Sequence, residues 1–112
     1  METIDFLVQG SAAEPYELRF TRSGNTINAF CSCPAGDSGT ACKHRLSILS
    51  GLKAGIVSDN VELVATVASW LPQSNIEMRM AELDRAEREA ENAKKAVSAA
   101  KKRLAAAMLG RE

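Results

Sequence analysis

The sequence predicts an α+β protein, in which a small three-stranded antiparallel meander and a short helix precede a second helix and a long C-terminal coiled-coil helix. Three observations predict this fold. Apolar and polar residues alternate in the first third of the chain. The chain's three cysteines and single histidine fall within residues 31–44. After Ser74 the chain is rich in alanine and charged residues, and Gly110 is the next glycine or proline.

The alternation in the first third of the chain is typical of half-buried strands. TIDFLVQ carries Ile4, Phe6 and Val8 at period two, and YELRFT repeats the pattern. TINAFC follows after RSGN, which predicts a hairpin turn, since Gly24 and Asn25 are both able to take positive φ. We therefore predict three consecutive antiparallel strands.

Two further stretches complete the predicted first domain. Residues 34–39, PAGDSG, predict an irregular loop. From near Cys42, the stretch KHRLSILSGL has the apolar spacing of a short helix, which Gly51 or Gly55 would end.

The remaining sequence predicts two helices. SDNVELVATVASWLP begins with a candidate capping box, Asp59 and Glu62, and Pro72 ends the helix. A second box, Ser74 and Glu77, begins the last helix, which would be about 50 Å long at the usual rise per residue.

Composition limits what the first half can bury. Only 4% of the 112 residues are aromatic, so the core available to residues 1–57 is thin. Domains of this size usually need a disulfide, a metal or a partner. We place one domain at residues 1–57 and a helical region at residues 58–112, whose long helix spans about 75–109.

Charge and cysteine content exclude several classes of protein. Fourteen basic residues balance fourteen acidic ones, which argues against strong non-specific binding to phosphate backbones. The sequence has no apolar run of about 18 residues that could span a membrane. METIDFLVQG lacks the basic start of a signal peptide. An odd number of cysteines fits reduced thiols, so we expect a cytoplasmic protein.

The cysteines and the histidine have the spacing of a metal site. Cys31, Cys33, Cys42 and His44 form the pattern C-x-C-x8-C-x-H. Residues two apart in a strand share a face, so the first pair can point at one ion. The second pair can do so only if Cys42 lies before the helix or at its first position. Three sulfurs and one imidazole suit a single structural Zn²⁺.

Other readings of this cluster fit less well. Buried free cysteines have no reason to pair twice at this spacing, and a Cys–His nucleophile would need a third orienting group and a cleft. Redox chemistry usually uses C-x-x-C. Since four protein ligands leave no coordination position for a catalytic water, we predict that the protein is not an enzyme. The adjacent Lys43 and Arg45 would offset the negative charge of three thiolates.

The stretch INAFCSCPAGDSGTACKHRLSIL resembles a SWIM zinc finger, whose pattern is C-x-C, a variable spacer and C-x-H. The resemblance covers roughly residues 3–55, and it includes the preceding strands, the proline after CSC and the apolar helix after CKH. It implies a zinc module with Cys31, Cys33, Cys42 and His44 as ligands. SWIM modules are thought to bind DNA or other proteins.

The last helix carries a heptad pattern. Apolar residues recur every seven positions, and alanines follow them three residues later, as in a coiled coil. Residues 77–91 hold six acidic residues and three arginines, and residues 94–111 hold six basic residues and no acidic one, which favours an antiparallel homodimer. An exposed, alanine-rich single helix is the alternative. The predicted dimerisation residues are Ile76, Leu83, Ala86, Ala90, Ala93, Val97, Ala100 and Leu104.

These features predict a zinc-binding interaction or adaptor protein that acts through protein–protein contacts. One alternative is a DNA-binding zinc-finger protein with little sequence preference, and another is a small inhibitor or regulator of a larger enzyme. The candidate DNA-binding residues are Arg19, Arg22, Lys43, Arg45, Lys94, Lys95, Lys101, Lys102 and Arg103.

Overall fold

The first third of the chain forms the predicted meander. The structure is a computed structural model that describes residues 1–111. Strands β1 (Glu2–Val8), β2 (Tyr16–Ser23) and β3 (Thr26–Cys31) form one antiparallel sheet in the order β1-β2-β3. The alternating pattern and the connecting turns thus gave the correct strands and topology.

The β2–β3 hairpin has a two-residue turn. Ser23 and Thr26 are paired across it, and Gly24 has a φ of 60°. Asn25, which is also able to take positive φ, does not have it. A positive φ at the first central residue alone is the pattern of a type II′ turn, which matches the twist of the flanking strands.

One face of the sheet forms the core of the first half of the chain. The rings of Phe6 and Phe20 meet edge to face with their centroids 5.9 Å apart, an arrangement that aromatic pairs favour. Because side chains alternate along a strand, the core residues of each strand are two positions apart. The buried residues of the sheet are Phe6, Val8, Leu18, Phe20, Ile27 and Cys31.

Two short helices follow the sheet. Helix α1 (Pro34–Asp37) lies where we predicted an irregular loop, so that expectation was wrong. Proline at the first helical position, directly after a capping residue, is a helix-start signal that the sequence does contain. Helix α2 (Lys43–Leu49) confirms the predicted short helix, and Gly51 follows it with a φ of 85°.

The next segment completes the same core. A 3₁₀ turn (Val61–Leu63) leads into helix α3 (Val64–Ser69), whose residues Val64 and Val67 are fully buried. Trp70 is also buried. The chain divides by compactness into Met1–Glu77 and Met78–Glu112, so this division differs from the boundary predicted at residue 57. The difference arises because the 3₁₀ turn and α3 bury their apolar side chains within the first unit.

The predicted capping box at Asp59 and Glu62 does not form. Asn60 stands at the N-cap without a side-chain capping bond. Its side-chain amide instead donates to the carbonyl oxygen of Asp5 at 2.7 Å. A tertiary hydrogen bond to the first strand therefore fixes this residue.

Both edges of the sheet have partners. At the outer edge of β1, Val57 N donates to the carbonyl oxygen of Leu7 at 2.9 Å. At the outer edge of β3, the side chain of Asn75 pairs with the backbone of Ile27. Its Oδ1 accepts from Ile27 N at 2.7 Å and its Nδ2 donates to Ile27 O at 3.2 Å. The side-chain amide thus substitutes for a neighbouring strand, which protects the edge from pairing with another chain.

Helix α4 (Glu77–Met108) confirms the long C-terminal helix. Half of the predicted capping box forms, because Ser74 Oγ accepts from Glu77 N at 3.3 Å. The reciprocal bond differs from the box, since Glu77 Oε1 accepts from the backbone N of Gln73 at 3.1 Å and not from that of Ser74. None of the residues of α4 is buried, and the pairing of α4 with another helix in a coiled coil stays a prediction. No helix within residues 1–111 has the length and apolar character to cross a membrane.

Gly36 in α1 allows a close backbone approach that another residue would prevent. A Cβ at this position would overlap the carbonyl oxygen of Cys31. We expect Gly36→Ala to destabilise the first unit by about 1–3 kcal/mol, as overpacking does, and to lower the melting temperature by about 5 °C or more. Thermal unfolding of the zinc-loaded protein, followed by the fluorescence of Trp70, measures the effect.

Gly39→Asn is the matched control in the same loop. Gly39 has a φ of 80°, but a Cβ added there would have no other atom within 4 Å, and asparagine tolerates this backbone region. A melting temperature that is equal for Gly36→Ala and the wild type would contradict the proposed close approach.

Candidate metal centre

The four predicted ligands lie together. The ligand atoms of Cys31, Cys33, Cys42 and His44 are all within 4.8 Å of one another. The three thiol groups are buried and His44 is half-buried. A tetrahedral ion bound at about 2.3 Å would hold its sulfurs about 3.8 Å apart, so the donors need only small shifts to close on Zn²⁺. The cluster suits one structural zinc ion.

The first two ligands come from the end of the sheet. Cys31 is the last residue of β3, and Cys33 follows as the N-cap residue of α1. Cys33 Sγ accepts a hydrogen bond from Gly36 N at 3.4 Å. The close approach of Gly36 to Cys31 therefore also brings a backbone donor to the neighbouring ligand.

The second pair is placed by the start of α2. Cys42 is the N-cap residue, which confirms that it precedes the helix, and its Sγ accepts from Arg45 N at 3.5 Å. His44 lies in the first turn, with Nδ1 3.9 Å from Cys31 Sγ. Nδ1 is therefore the imidazole atom that faces the sulfurs.

The other side of the His44 ring is packed by residues that the sequence analysis did not single out. Tyr16 lies against it with 5.2 Å between the ring centroids. A Cβ added at Gly10 would overlap the Tyr16 ring and approach His44 Nε2 to 3.4 Å. The Tyr16 ring and the backbone at Gly10 thus restrict the orientation of the imidazole. No local sequence pattern signals this contact between distant segments.

The environment gives the cysteines different acidities. Burial, with hydrogen bonds that the Cys31 thiol donates to the sulfurs of Cys33 and Cys42, raises the pKa of Cys31 to about 12. Burial also opposes ionisation of Cys42, but hydrogen bonds from the backbone and side chain of Arg45, together with those from Cys31 and Cys33, outweigh it and lower the pKa of that thiol. Burial and then the charge of Lys43 lower the pKa of His44, which favours the neutral, ligating imidazole. Because Cys31 holds its proton in neutral solution, metal binding must displace that proton.

Arg45 lies inside the site. Its Nε donates to Cys42 Sγ at 3.2 Å, and one terminal nitrogen donates to Ala29 O at 3.0 Å. The other terminal nitrogen donates to Thr40 O. Although we predicted Arg45 as a candidate DNA contact, its guanidinium already binds three groups of the protein.

The remaining candidate DNA-binding residues belong to both units of the chain. Arg19 pairs with Asp5 at 2.9 Å, and Arg22 pairs with Glu2 at 2.8 Å while its guanidinium lies 5.4 Å from the centroid of the Trp70 ring. Lys43 is exposed, and so are the candidate residues on α4. The latter are Lys94, Lys95, Lys101, Lys102 and Arg103.

The predicted dimerisation residues lie on or just before α4. Leu83, Val97 and Leu104 are large apolar side chains that are 39%, 55% and 57% exposed. Ile76 is half-buried and precedes the helix. The alanines at 86, 90, 93 and 100 are exposed. From Leu83 onward the seam is thus continuous, and it is not covered within the described residues.

Removal of zinc should unfold the first unit and leave much of α4 helical, because the metal links segments that share only a small core. Chelation and Cys33→Ser should both shift the emission of Trp70, which is 4% exposed, to longer wavelength. The circular dichroism of α4 should persist in part. Ala41→Ser, which changes an exposed residue of the same loop, is the control. An unmoved Trp70 emission after complete metal removal would disprove the structural role of zinc.

Comparison with known proteins agrees with this site. Residues 6–50, which are less than half of the chain, match the model of the SWIM zinc finger family. The match contains all four ligands and ends just after α2. Comparisons with curated proteins and with solved structures gave no match. The matched segment and the clustered ligands together show that this chain contains a SWIM zinc finger.

Proposed function

We propose that this protein is a non-enzymatic interaction or adaptor protein, in which the zinc finger is a binding module and α4 forms a homodimer. The proposal is carried by the exposure of α4. This helix has 32 residues, none of its side chains is buried, and its apolar residues form a regular seam. Such a seam is stable when another helix covers it.

The zinc site supports a structural role for the metal. Three sulfurs and one imidazole supply the full tetrahedral set, so no coordination position remains for a substrate or a catalytic water. The ion would hold β3, α1 and α2 together, and the chemistry of the module would lie in its surfaces.

The charges beside the seam favour antiparallel pairing. Glu87, Lys94 and Lys101 occupy the flanking e positions, and Glu82, Glu89 and Arg103 occupy the g positions. In an antiparallel pair e faces e and g faces g, so the acidic half of one helix lies beside the basic half of the other. In a parallel pair g faces the following e, which sets Glu89 against Lys94 but also Glu82 against Glu87, so one of these two contacts is repulsive.

Reversal of one charge distinguishes the two arrangements. In the antiparallel dimer Glu87 faces Lys94 or Lys101 of the second copy, depending on the register. We expect Glu87→Lys to raise the dissociation constant about tenfold, since two exposed pairs of up to about 1 kcal/mol each become repulsive. Sedimentation equilibrium measures the constant, and a second change, Lys94→Glu or Lys101→Glu, should restore it and identify the register.

Glu91→Lys is the control, because residue 91 lies on the side of the helix away from the seam. Circular dichroism checks that each variant keeps its helix. A wild-type protein that stays monomeric at tens of micromolar would refute the dimer. Tighter association of Glu87→Lys would refute antiparallel pairing, because this change removes the Glu82–Glu87 repulsion of a parallel pair.

The alternative function is DNA binding with little sequence preference. The exposed basic side chains of α4 favour it, since Lys and Arg contact phosphates without reading bases. The sheet favours it less. Its outer face holds Arg19 beside Asp5 and Glu17, and Leu7 and Phe30 are exposed on the same face. This acidic and apolar surface suits a protein partner better than a phosphate backbone.

Salt dependence separates the two functions. The adaptor proposal predicts weak retention on DNA. Replacement of Lys95 and Lys102, which lie on the side of the helix away from the seam, by glutamine should leave protein partners bound. A DNA-binding protein would show an affinity that falls steeply with salt, with a slope of about 0.9 for each phosphate contact in a log–log plot. Fluorescence anisotropy with a labelled duplex at several salt concentrations measures the slope.

A further inference from the structure

We infer that Arg45 is a positioning residue of the zinc site, which sets the orientation and hydrogen bonding of the Cys42 sulfur and locks the ligand loop onto the sheet. This role goes beyond the proposed function, because it concerns how the metal is held and not what the module binds. The inference rests on the three acceptors that one guanidinium reaches.

The first acceptor is a metal ligand. Arg45 Nε donates to Cys42 Sγ at 3.2 Å, and the backbone N of the same residue donates to the same sulfur at 3.5 Å. Two N–H groups from one residue therefore fix the direction from which the sulfur can meet the ion. Hydrogen bonds to a ligating sulfur also withdraw charge from it, which compensates the excess of three thiolates over Zn²⁺.

The other two acceptors tie the ligand to its surroundings. Ala29 O belongs to β3, two residues before the ligand Cys31, and accepts at 3.0 Å. Thr40 O belongs to the loop that leads to Cys42 and accepts from the remaining terminal nitrogen. The planar guanidinium thus connects the strand that supplies the first ligand to the loop and helix that supply the last two.

Geometry distinguishes Arg45 from its neighbour Lys43. Both carry a positive charge next to a ligand, but Lys43 is exposed and Arg45 is half-buried with its nitrogens directed inward. A lysine at position 45 would keep the charge but could not serve three acceptors in one plane. The role therefore depends on the guanidinium and not on charge alone.

The test compares Arg45→Gln, Arg45→Lys and the control Lys43→Gln in the full chain. Competition with a chromogenic chelator measures the zinc affinity. We expect Arg45→Gln to lower the affinity by about 10–100-fold, as loss of an outer partner of a metal ligand typically does. Lys43→Gln should change it by less than about fivefold, because an exposed charge contributes at most about 1 kcal/mol. Arg45→Lys should recover only part of the loss.

A second readout reports on the sulfur itself. With Co²⁺ in place of Zn²⁺, the thiolate-to-cobalt charge-transfer band should shift in Arg45→Gln and Arg45→Lys but not in Lys43→Gln. A change in fold stability alone would lower the occupancy and leave the band of the loaded site in place. The inference is overturned if the band does not move, or if Arg45→Lys binds zinc as tightly as the wild type.

Discussion

Binding of one zinc ion by four side chains is the interaction on which the first unit depends. Its ligands come from the end of β3, from the residue before α1 and from the start of α2. The side chains that are almost completely buried are few, and they include a single aromatic pair on the sheet. A core of this size leaves little net stability after the chain entropy of folding is met. Four bonds to one ion therefore supply the cohesion that more apolar burial would supply in a larger domain.

The thiolates also determine local structure around the metal. Cys33 and Cys42 are the N-cap residues of α1 and α2, and each sulfur accepts a backbone N–H three residues later. Helices of 4 and 7 residues are too short to be stable in isolation. Metal binding fixes the caps, and the caps orient the sulfurs, so ligand geometry and secondary structure form together. Arg45 extends this coupling to the strand.

The features that sequence predicted are those with a local signature. Strand alternation gave the meander, and the C-x-C and C-x-H spacing gave the ligands, because both follow from periodicity along the chain. The features that were missed depend on contacts between distant segments. The packing of Tyr16 and Gly10 on His44 and the pairing of Asn75 with Ile27 are of this kind.

The predicted cap at Asp59 failed for the same reason, since Asn60 binds the first strand. Helix α1 had a signal, Pro34 after Cys33, that we interpreted only as part of an irregular loop.

The two units pose different physical problems. The zinc finger is complete in itself once its metal is bound, whereas α4 leaves its apolar seam exposed. Cohesion within the first unit therefore depends on the metal, whereas we propose that the seam of α4 serves association. Zinc binding is the more fundamental of the two, because the first unit would not fold without it.

X-ray absorption at the zinc edge, combined with metal stoichiometry on the purified full chain, tests this claim most directly. The account predicts one zinc per chain, with three sulfurs at about 2.3 Å and one nitrogen at about 2.0 Å. A protein that is free of metal but gives the dispersed amide spectrum of an ordered sheet would contradict it.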